Sequence, residues 1–448
     1  MWRKHLKIFF LITNDILIFY VALGLTLFIR YVVIDFEPAN FYSAIPLHLI
    51  PFSIIFLFWL ITFWIAGLYD ITKLRNEELF YKTLLTAFAA NTALSIAFFY
   101  FIPYFIITPK ISMFIDLALT ALILYFWRSY YNKWARKAFK IGVIFLGASD
   151  EVLELKDLFN KNPQLGYEVA GVLAPDNFGE LQNLWHDKKF SLIVPAEKFD
   201  HSQKLSGLLF QYFKKGATIS DLDRFYENIT WRVPISIIKE AWFLQNISEI
   251  ERGFYETIKR IFDVILGIIF AVFTIIIFPV VAVGIKIFDP GPIFRHQARV
   301  GKNGKIFTLI KFRSLPISVE KNMINQMHKP DTEEITSFGQ FLRKSHWDEL
   351  PQVWSVLRGD MSFIGPRPEK PNFVEQLSQE IPFYEMRHLI KPGITGWAQL
   401  HNPNAGPTIK ETLGKLQYDL YYVKNRSMFL DFSIALKTLK ILISGAGK

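Results

Sequence analysis

Asp348 and Glu349 stand side by side in the stretch Lys344-Ser-His-Trp-Asp-Glu-Leu-Pro-Gln-Val-Trp-Ser-Val-Leu357, and Arg343 and Lys344 come just ahead of them. Pro351 is tolerated in a helix only near its start, where a missing N–H has no partner to lose. Ser345, three positions before Asp348, resembles a capping box with a carboxylate as the reciprocal partner. The pair is therefore expected in the first turn of a helix, where the positive dipole end keeps a carboxylate ionised and draws anions near. Such a carboxylate can act as a nucleophile or a metal ligand. Two acids at a helix start are also an ordinary feature of solvated helices. The surroundings favour chemistry: Ile310-Lys-Phe-Arg-Ser-Leu315 lies upstream, and Arg358-Gly-Asp-Met-Ser-Phe-Ile-Gly-Pro-Arg-Pro-Glu369 lies downstream. Basic clusters around one acidic pair suit a phosphate-bearing substrate with a divalent metal.

Six segments then occur in a fixed order: Pro290-Gly-Pro-Ile-Phe294, Lys311-Phe-Arg-Ser314, Asp348-Glu-Leu-Pro-Gln352, Gly359-Asp-Met-Ser362, Gly365-Pro-Arg-Pro368 and Lys391-Pro-Gly-Ile-Thr-Gly-Trp-Ala-Gln399. In this order they resemble the polyprenyl-phosphate hexose-1-phosphate transferases, the large monotopic phosphoglycosyl transferases among the bacterial sugar transferases. The match runs from about Tyr255 to the C-terminus. The resemblance implies transfer of a sugar 1-phosphate from a UDP-sugar to undecaprenyl phosphate in two steps. Asp348 attacks the β-phosphate and UMP leaves; the lipid phosphate then attacks the phosphosugar-aspartate. It also implies Mg²⁺ at Asp348 and Glu349, with Glu349 as ligand or base. Lys311, Arg313, Arg343 and Arg367 are implied as phosphate ligands, and Arg387 and Asp419 as holders of substrate or metal. The product would start an exopolysaccharide, capsule or O-antigen repeat unit. The chain departs from the family pattern at Ser345-His-Trp347, at Ser355 and at His401-Asn-Pro-Asn-Ala-Gly406, which leaves the sugar open.

The elements that must carry this site are unusually apolar. The 448 residues are 51% hydrophobic and 16% aromatic, which points to membrane segments. With no Cys, disulfides and thiolate metal sites are excluded. In so apolar a chain the net charge of +10 is first explained by basic cytoplasmic loops, not by a nucleic-acid partner. Four apolar runs, Ile8–Ile29, Leu47–Leu68, Leu84–Tyr104 and Ile111–Phe126, fill the first 130 residues. The first three reach the roughly 20 residues a span needs, whereas the fourth is short and contains Asp116, expected at the interface. No secretory cleavage site follows the first run, so it is read as retained. Arg3, Lys4 and Lys7, then Lys73, Arg75 and Lys82, then Arg128 to Lys140 place both ends of this bundle inside.

Strand and helix patterns alternate after the bundle: Ile141–Gly147, Ala148–Asn160, Tyr167–Ala174 and Phe190–Pro195, as in a parallel sheet. Its first turn has Gly147 alone, not the three glycines of a dinucleotide site, and reads as a structural or regulatory module. A fifth apolar run, Ile261–Phe288, is long enough to cross, but it is flanked on both sides by Lys and Arg and interrupted by Pro279. The charge rule and a proline kink favour a helix that enters and leaves on one face. Thr274 or neighbouring helices would serve the freed backbone groups. Further expectations are a mobile loop at His328–Glu334, a helix capped by Ser337 with Gln340, a surface helix at Pro368–Ile381 and an amphipathic interfacial helix at Met428–Ile443.

The expected fold class is membrane α plus α/β. It comprises a four-helix transmembrane bundle (1–130), a Rossmann-like parallel-sheet module (138–217), a connecting region (218–254) and a monotopic α/β catalytic domain (255–448) with a reentrant membrane helix (261–288). The expected place is the bacterial inner membrane, multi-pass, with the soluble and catalytic domains on the cytoplasmic side, in contact with membrane lipids and as a homodimer. Two rivals stand at this point: an inactive membrane scaffold or sensor with a nucleotide-binding α/β module, and a polytopic protein in which all five runs cross.

Overall fold

Side chains that are apolar on every face suit a helix to lipid, and the long helices of this chain are of that kind. A computed structural model describes residues 2–69, 77–101, 110–138, 141–162, 165–174, 178–187, 189–196, 203–247, 253–315, 336–403, 406 and 408–444. They fall into two compact units, 1–225 and 226–448.

The first unit opens with α1 (Trp2–Phe28), prolonged by a π-helical turn (Ile29–Ile34), α2 (Pro38–Ala66), α3 (Glu77–Phe101) and α4 (Lys110–Ala138). Leu11, Phe19, Phe52, Trp59, Phe63 and Leu124 are buried together, while Phe9, Leu17, Leu57, Leu85 and Phe126 face outward. Two expectations are corrected. The second helix begins at Pro38 and continues through Pro46 and Pro51 instead of starting at Leu47. The third run lies on the 25-residue α3, with Thr83–Phe99 its apolar stretch among the described residues, and Ile111–Tyr131, with 21 residues, is apolar enough to cross. Asp116 is not interfacial: it is buried, and neither carboxylate oxygen has a hydrogen-bond partner among the described residues. The cause is its place on α4. Ser112, Asp116, Thr120, Leu124 and Arg128 recur every four residues and form one buried stripe. The basic positions Lys73 and Arg75, on which the orientation partly rests, lie outside the described residues.

The first unit also holds an α/β module. Strands β1 (Ile141–Leu146), β2 (Tyr167–Leu173), β3 (Leu192–Pro195) and β4 (Thr218–Ile219) form one parallel sheet in the order β2-β1-β3-β4. Helices α5 (Asp150–Lys161), α6 (Phe178–His186) and α7 (Gln203–Lys214) alternate with them. Gly147 turns the chain off β1 with φ +103°, and Ser149 caps α5 by accepting from Val152 N at 3.3 Å. The helix α8 (Leu222–Thr230) contains the boundary between the units.

In the second unit α9 (Glu240–Asn246) precedes α10 (Gly253–Phe288), a 36-residue helix. It continues through Pro279. The Thr274 hydroxyl donates to Phe270 O at 2.6 Å, so it does not serve a carbonyl freed by the proline, as had been expected. An antiparallel hairpin follows, β5 (Phe294–Val300) with β6 (Ile306–Phe312), then a parallel pair, β7 (Ser362–Ile364) with β8 (Gly393–Thr395). Helices Pro371–Glu380 and Ile409–Asn425 pack Leu377, Leu416 and Leu420 against Val233 and Trp242. The helix Met428–Ser444 buries Ile434 and leaves Phe429, Phe432 and Leu442 exposed. The expected loop at His328–Glu334 lies outside the described residues.

Candidate active site

The acidic pair sits where one helix stops and another begins. The helix Ser337–Lys344 is capped by Thr336, whose hydroxyl accepts from Gly339 N at 3.1 Å, so Ser337 is its first residue and not its cap. Ser345 does not cap the following turn either. Its hydroxyl donates back to Phe341 O at 2.8 Å, which also accepts from Ser345 N at 2.9 Å, and to Leu342 O at 3.2 Å, in the last turn of the preceding helix. His346, at φ +57°, then reverses the chain into a 3-10 turn, Trp347–Gln352, and the helix Val353–Arg358. Asp348 and Glu349 thus lie in a 3-10 turn ahead of the helix, not in a first α-turn set by Ser345. Pro351 fits that turn.

Two neighbouring elements bring cations to it. On β6 the alternation of side chains sends Phe312 into the cluster with Val281, Ile285 and Leu342, which turns Lys311 to the other face. Arg367 is placed by contact between main chains. Gly365 N donates to Thr395 O and Gly393 N to Pro366 O, both at 2.9 Å. A Cβ on Gly393 would lie 2.1 Å from Gly365 N, and one on Gly365 would lie 2.5 Å from Lys391 O. Only glycine allows this approach, so the Gly-Pro-Arg-Pro and Lys-Pro-Gly segments hold one another.

The result is a charge cluster. Lys311 Nζ lies 2.6 Å from Glu349 Oε1, and Arg367 Nη2 lies 3.1 Å from the same oxygen. Burial pushes the Glu349 carboxyl up, but Lys311 and Arg367 outweigh it and hold the group well below the usual carboxylate range. Burial pushes the Lys311 ammonium down, against the pull of Glu349. Asp348 adds its negative charge to the field at both cations.

The other expected residues divide. Arg313 is buried and turned to Asp289. Its Nη2 donates to the Asp289 carbonyl and lies 3.4 Å from the carboxylate, which fastens the exit from α10. Arg313 Nη2 thus meets Asp289 and not the cluster, while its Nε and Nη1 have no hydrogen-bond partner among the described residues. Arg343 lies in the last turn of its helix, with Nη1 shielded from solvent and without a hydrogen-bond partner among the described residues. Arg387 and Asp419 form a buried ion pair at 2.7 Å. Arg387 also donates to Tyr384 Oη at 2.7 Å and to the main-chain oxygen of Arg367 at 3.0 Å, so it steadies the residue that holds Glu349. Burial raises the Asp419 carboxyl to about 6 despite Arg387.

Lys259, Arg260 and Asp263 have sharper roles than the flanking charges they are in the sequence. Arg260 donates to Val356 O at 2.6 Å and Leu357 O at 2.7 Å, the last carbonyls of the helix behind the pair. Asp263 accepts from Ser362 Oγ and Phe363 N, both at 3.0 Å. Lys259 lies 2.6 Å from Asp431. Their spacing on one helix gives no sign of partners 96 to 172 positions away.

A divalent metal fits Asp348 and Glu349 in one way. Both protein bonds of Glu349 fall on Oε1, which leaves Oε2 without a partner among the described residues. No group of three or more His, Cys, Asp or Glu suited to a metal occurs among those residues. Mg²⁺ commonly takes one or two carboxylates and completes its shell with water and substrate phosphate. That donor set matches the pair.

With this geometry in view, the comparisons are specific. Residues 254–445 match the model of the bacterial sugar transferases. The chain is 39% identical over 190 residues to an uncharacterized sugar transferase of Bacillus subtilis, 88% of which is covered, or 42% of this chain. The chain belongs to the bacterial sugar transferase family. It also resembles two other transferases over part of their length. It is 39% identical over 221 residues to a UDP-N-acetylgalactosamine-undecaprenyl-phosphate N-acetylgalactosaminephosphotransferase of Aeromonas hydrophila, covering 49% of this chain and 51% of that one. It is 30% identical over 323 residues to a UDP-glucose:undecaprenyl-phosphate glucose-1-phosphate transferase of Xanthomonas campestris, covering 66% of this chain and 65% of that one. The matched region thus spans about half to two thirds of these two relatives.

Proposed function

We propose that this sugar transferase moves a sugar 1-phosphate from a UDP-sugar to undecaprenyl phosphate through a phosphosugar-aspartate at Asp348, with release of UMP. The observation that carries the reading is the cluster in which Lys311 and Arg367 converge on Glu349 beside Asp348. A phosphoanhydride under attack by an anion needs nearby positive charge, and preplaced cations supply it without reorganisation. An Asp348 oxygen bonds to the β-phosphorus as the bond to the bridging oxygen breaks, and UMP leaves with the electron pair. An oxygen of the lipid phosphate then bonds to the same phosphorus, and the bond to Asp348 breaks. Glu349 stays ionised through both steps, and Arg367 turns its guanidinium to the phosphate. Asp348 and Glu349 would hold Mg²⁺, which would supply further charge neutralisation there.

The membrane reading rests on α10. Near its start Arg260 and Asp263 bind the elements behind the acidic pair; near its end Val281 and Ile285 pack with Phe312 and Leu342. Both ends are thus fastened to one unit, while Ile269, Ile276 and Val280 face outward. A helix with its ends on opposite sides of a bilayer could not share one soluble partner in this way. We read it as reentrant, with the site at the cytoplasmic face of the inner membrane, where a lipid phosphate meets a soluble nucleotide. The homodimer and the role in exopolysaccharide, capsule or O-antigen assembly belong to the same proposal.

The test is incubation of the purified chain with UDP-glucose and UDP-N-acetylgalactosamine in turn, without acceptor. Wild type should release UMP and gain the mass of a phosphosugar, and Asp348→Asn should do neither. Undiminished release by Asp348→Asn removes the covalent route.

A further inference from the structure

The second unit holds a pocket of about 130 Å³ that no step above uses. Phe373 and Leu416 give it apolar walls, and Glu369, Thr412, Lys415 and Asp419 give it polar ones. The charges are nearly balanced. Asp419 is paired with Arg387 at 2.7 Å, and Lys415, which donates to Gly406 O at 3.2 Å, feels the field of Glu369. A wall that mixes carboxylates with an ammonium and a hydroxyl offers both acceptors and donors, which suits a neutral ligand rich in hydroxyl groups.

The wall of the cavity is tied to the charge cluster through one short segment. Arg387 Nη2 reaches Asp419 on the cavity side and the main-chain oxygen of Arg367 at 3.0 Å on the other. Two residues after Arg367, whose guanidinium lies on Glu349, Glu369 lines the cavity. A ligand with its phosphates at Lys311 and Arg367 therefore has a pocket of matching chemistry one turn of chain away. Gly406, which ends the segment His401–Gly406, lines the same cavity.

We propose that this cavity seats the neutral, hydroxyl-bearing half of the nucleotide sugar, with Glu369 accepting from its hydroxyls and Lys415 donating to its oxygens. The proposal rests on the transferase reading above. Nucleoside and hexose share this chemistry, and the test tells them apart.

The experiment is calorimetric binding to the full chain in detergent. The probes are UMP, UDP-glucose, UDP-N-acetylgalactosamine and inorganic pyrophosphate, and the proteins are wild type, Glu369→Gln, Lys415→Met and Arg367→Ala. Thermal unfolding of each variant confirms that it is folded. In Glu369→Gln and Lys415→Met the Kd of the occupant should rise about tenfold, as expected for the loss of a hydrogen bond to a charged group. Pyrophosphate, which needs only the cations, should shift by less than about threefold. Equal weakening of UMP and the UDP-sugars puts the nucleoside in the cavity; weakening of a UDP-sugar alone puts the hexose there. If both variants bind every nucleotide as wild type does while Arg367→Ala weakens all probes, the cavity assignment is overturned and the transferase reading stands. If wild type binds no nucleotide at all, both fall.

Discussion

Asp15 in the bundle and Glu349 in the catalytic unit each hold an arginine, yet the two contacts differ in what surrounds them. Arg128 Nη2 meets Asp15 at 2.5 Å with the side chains 2% and 0% exposed, and Tyr69 donates to the same carboxylate oxygen at 2.8 Å. Arg367 meets Glu349 at 3.1 Å with side chains 49% and 17% exposed, and it shares the oxygen with Lys311. In the bundle the charges have nowhere else to turn, so their pairing is structural. At the acidic pair the arginine is half in solvent and can leave for a phosphate. The Arg387–Asp419 pair stands between them: it is as buried as the bundle pair, but its arginine also holds the Arg367 main chain. Burial, more than residue type, separates a charge pair that is locked from one whose arginine reaches solvent.

The largest break in this comparison comes from removing the nucleophile. Asp348→Asn should lower UMP release on the order of 10⁴-fold or more, with little change in unfolding temperature. Removal of the cations at Glu349 comes next. Lys311→Ala and Arg367→Ala should each reduce turnover roughly 10²–10³-fold, the scale of losing a preplaced charge-stabilising donor. Arg313→Ala, whose guanidinium is bound to Asp289, should instead lower the unfolding temperature and leave turnover per folded molecule within about tenfold of wild type. If Arg313→Ala matches Arg367→Ala in turnover with unchanged stability, the division between buried and half-exposed arginines fails.

These contrasts also show what one sequence can carry. The pair at Asp348, the basic clusters around it and the apolar runs are local patterns legible from types and spacing, and the family resemblance singled out Lys311 and Arg367 within those clusters. Burial depends on partners distant in the chain. Nothing around Arg313 shows that it will meet Asp289, and nothing around Asp116 shows that its stripe on α4 faces inward. Capping erred in the same way. Ser345 and Thr336 both lie near helix ends, and which carbonyl or amide each serves depends on the turn at His346 and the exact start of the helix. Glu369 and Lys415, 46 positions apart, become neighbours only through the packing of Pro371–Glu380 against Ile409–Asn425.

The bundle offers the reverse test. Asp15→Asn leaves Arg128 buried without its counter-charge and should cost roughly 3–5 kcal/mol of stability. Unfolding of the chain in detergent reads this as a lowered midpoint, while UMP release per folded molecule stays as in wild type. A loss of turnover with no change in midpoint would mean that the bundle pair takes part in the chemistry, and the contrast between locked and open pairs would no longer hold.

The smallest expected effect concerns pH, and it separates two groups on neighbouring elements. Burial and the adjacent Arg387 lower His388 from 6.5 to about 4. Between those values the unfolded chain binds a proton that the folded chain refuses, so this contribution is full above pH 6.5 and is lost as pH falls toward 4. Asp419 has the opposite sign: burial raises it from 3.8 to about 6, so its contribution is full below 3.8 and is lost as pH rises through 6. The two slopes offset one another in wild type between about pH 4 and 6. The difference between wild type and His388→Gln cancels the Asp419 part. That difference should change by about 2 kcal/mol between pH 7 and pH 4, with the variant gaining relative stability as acid is added. A difference that is flat with pH would place His388 in contact with solvent and detach it from the wall that Arg387 forms behind Arg367.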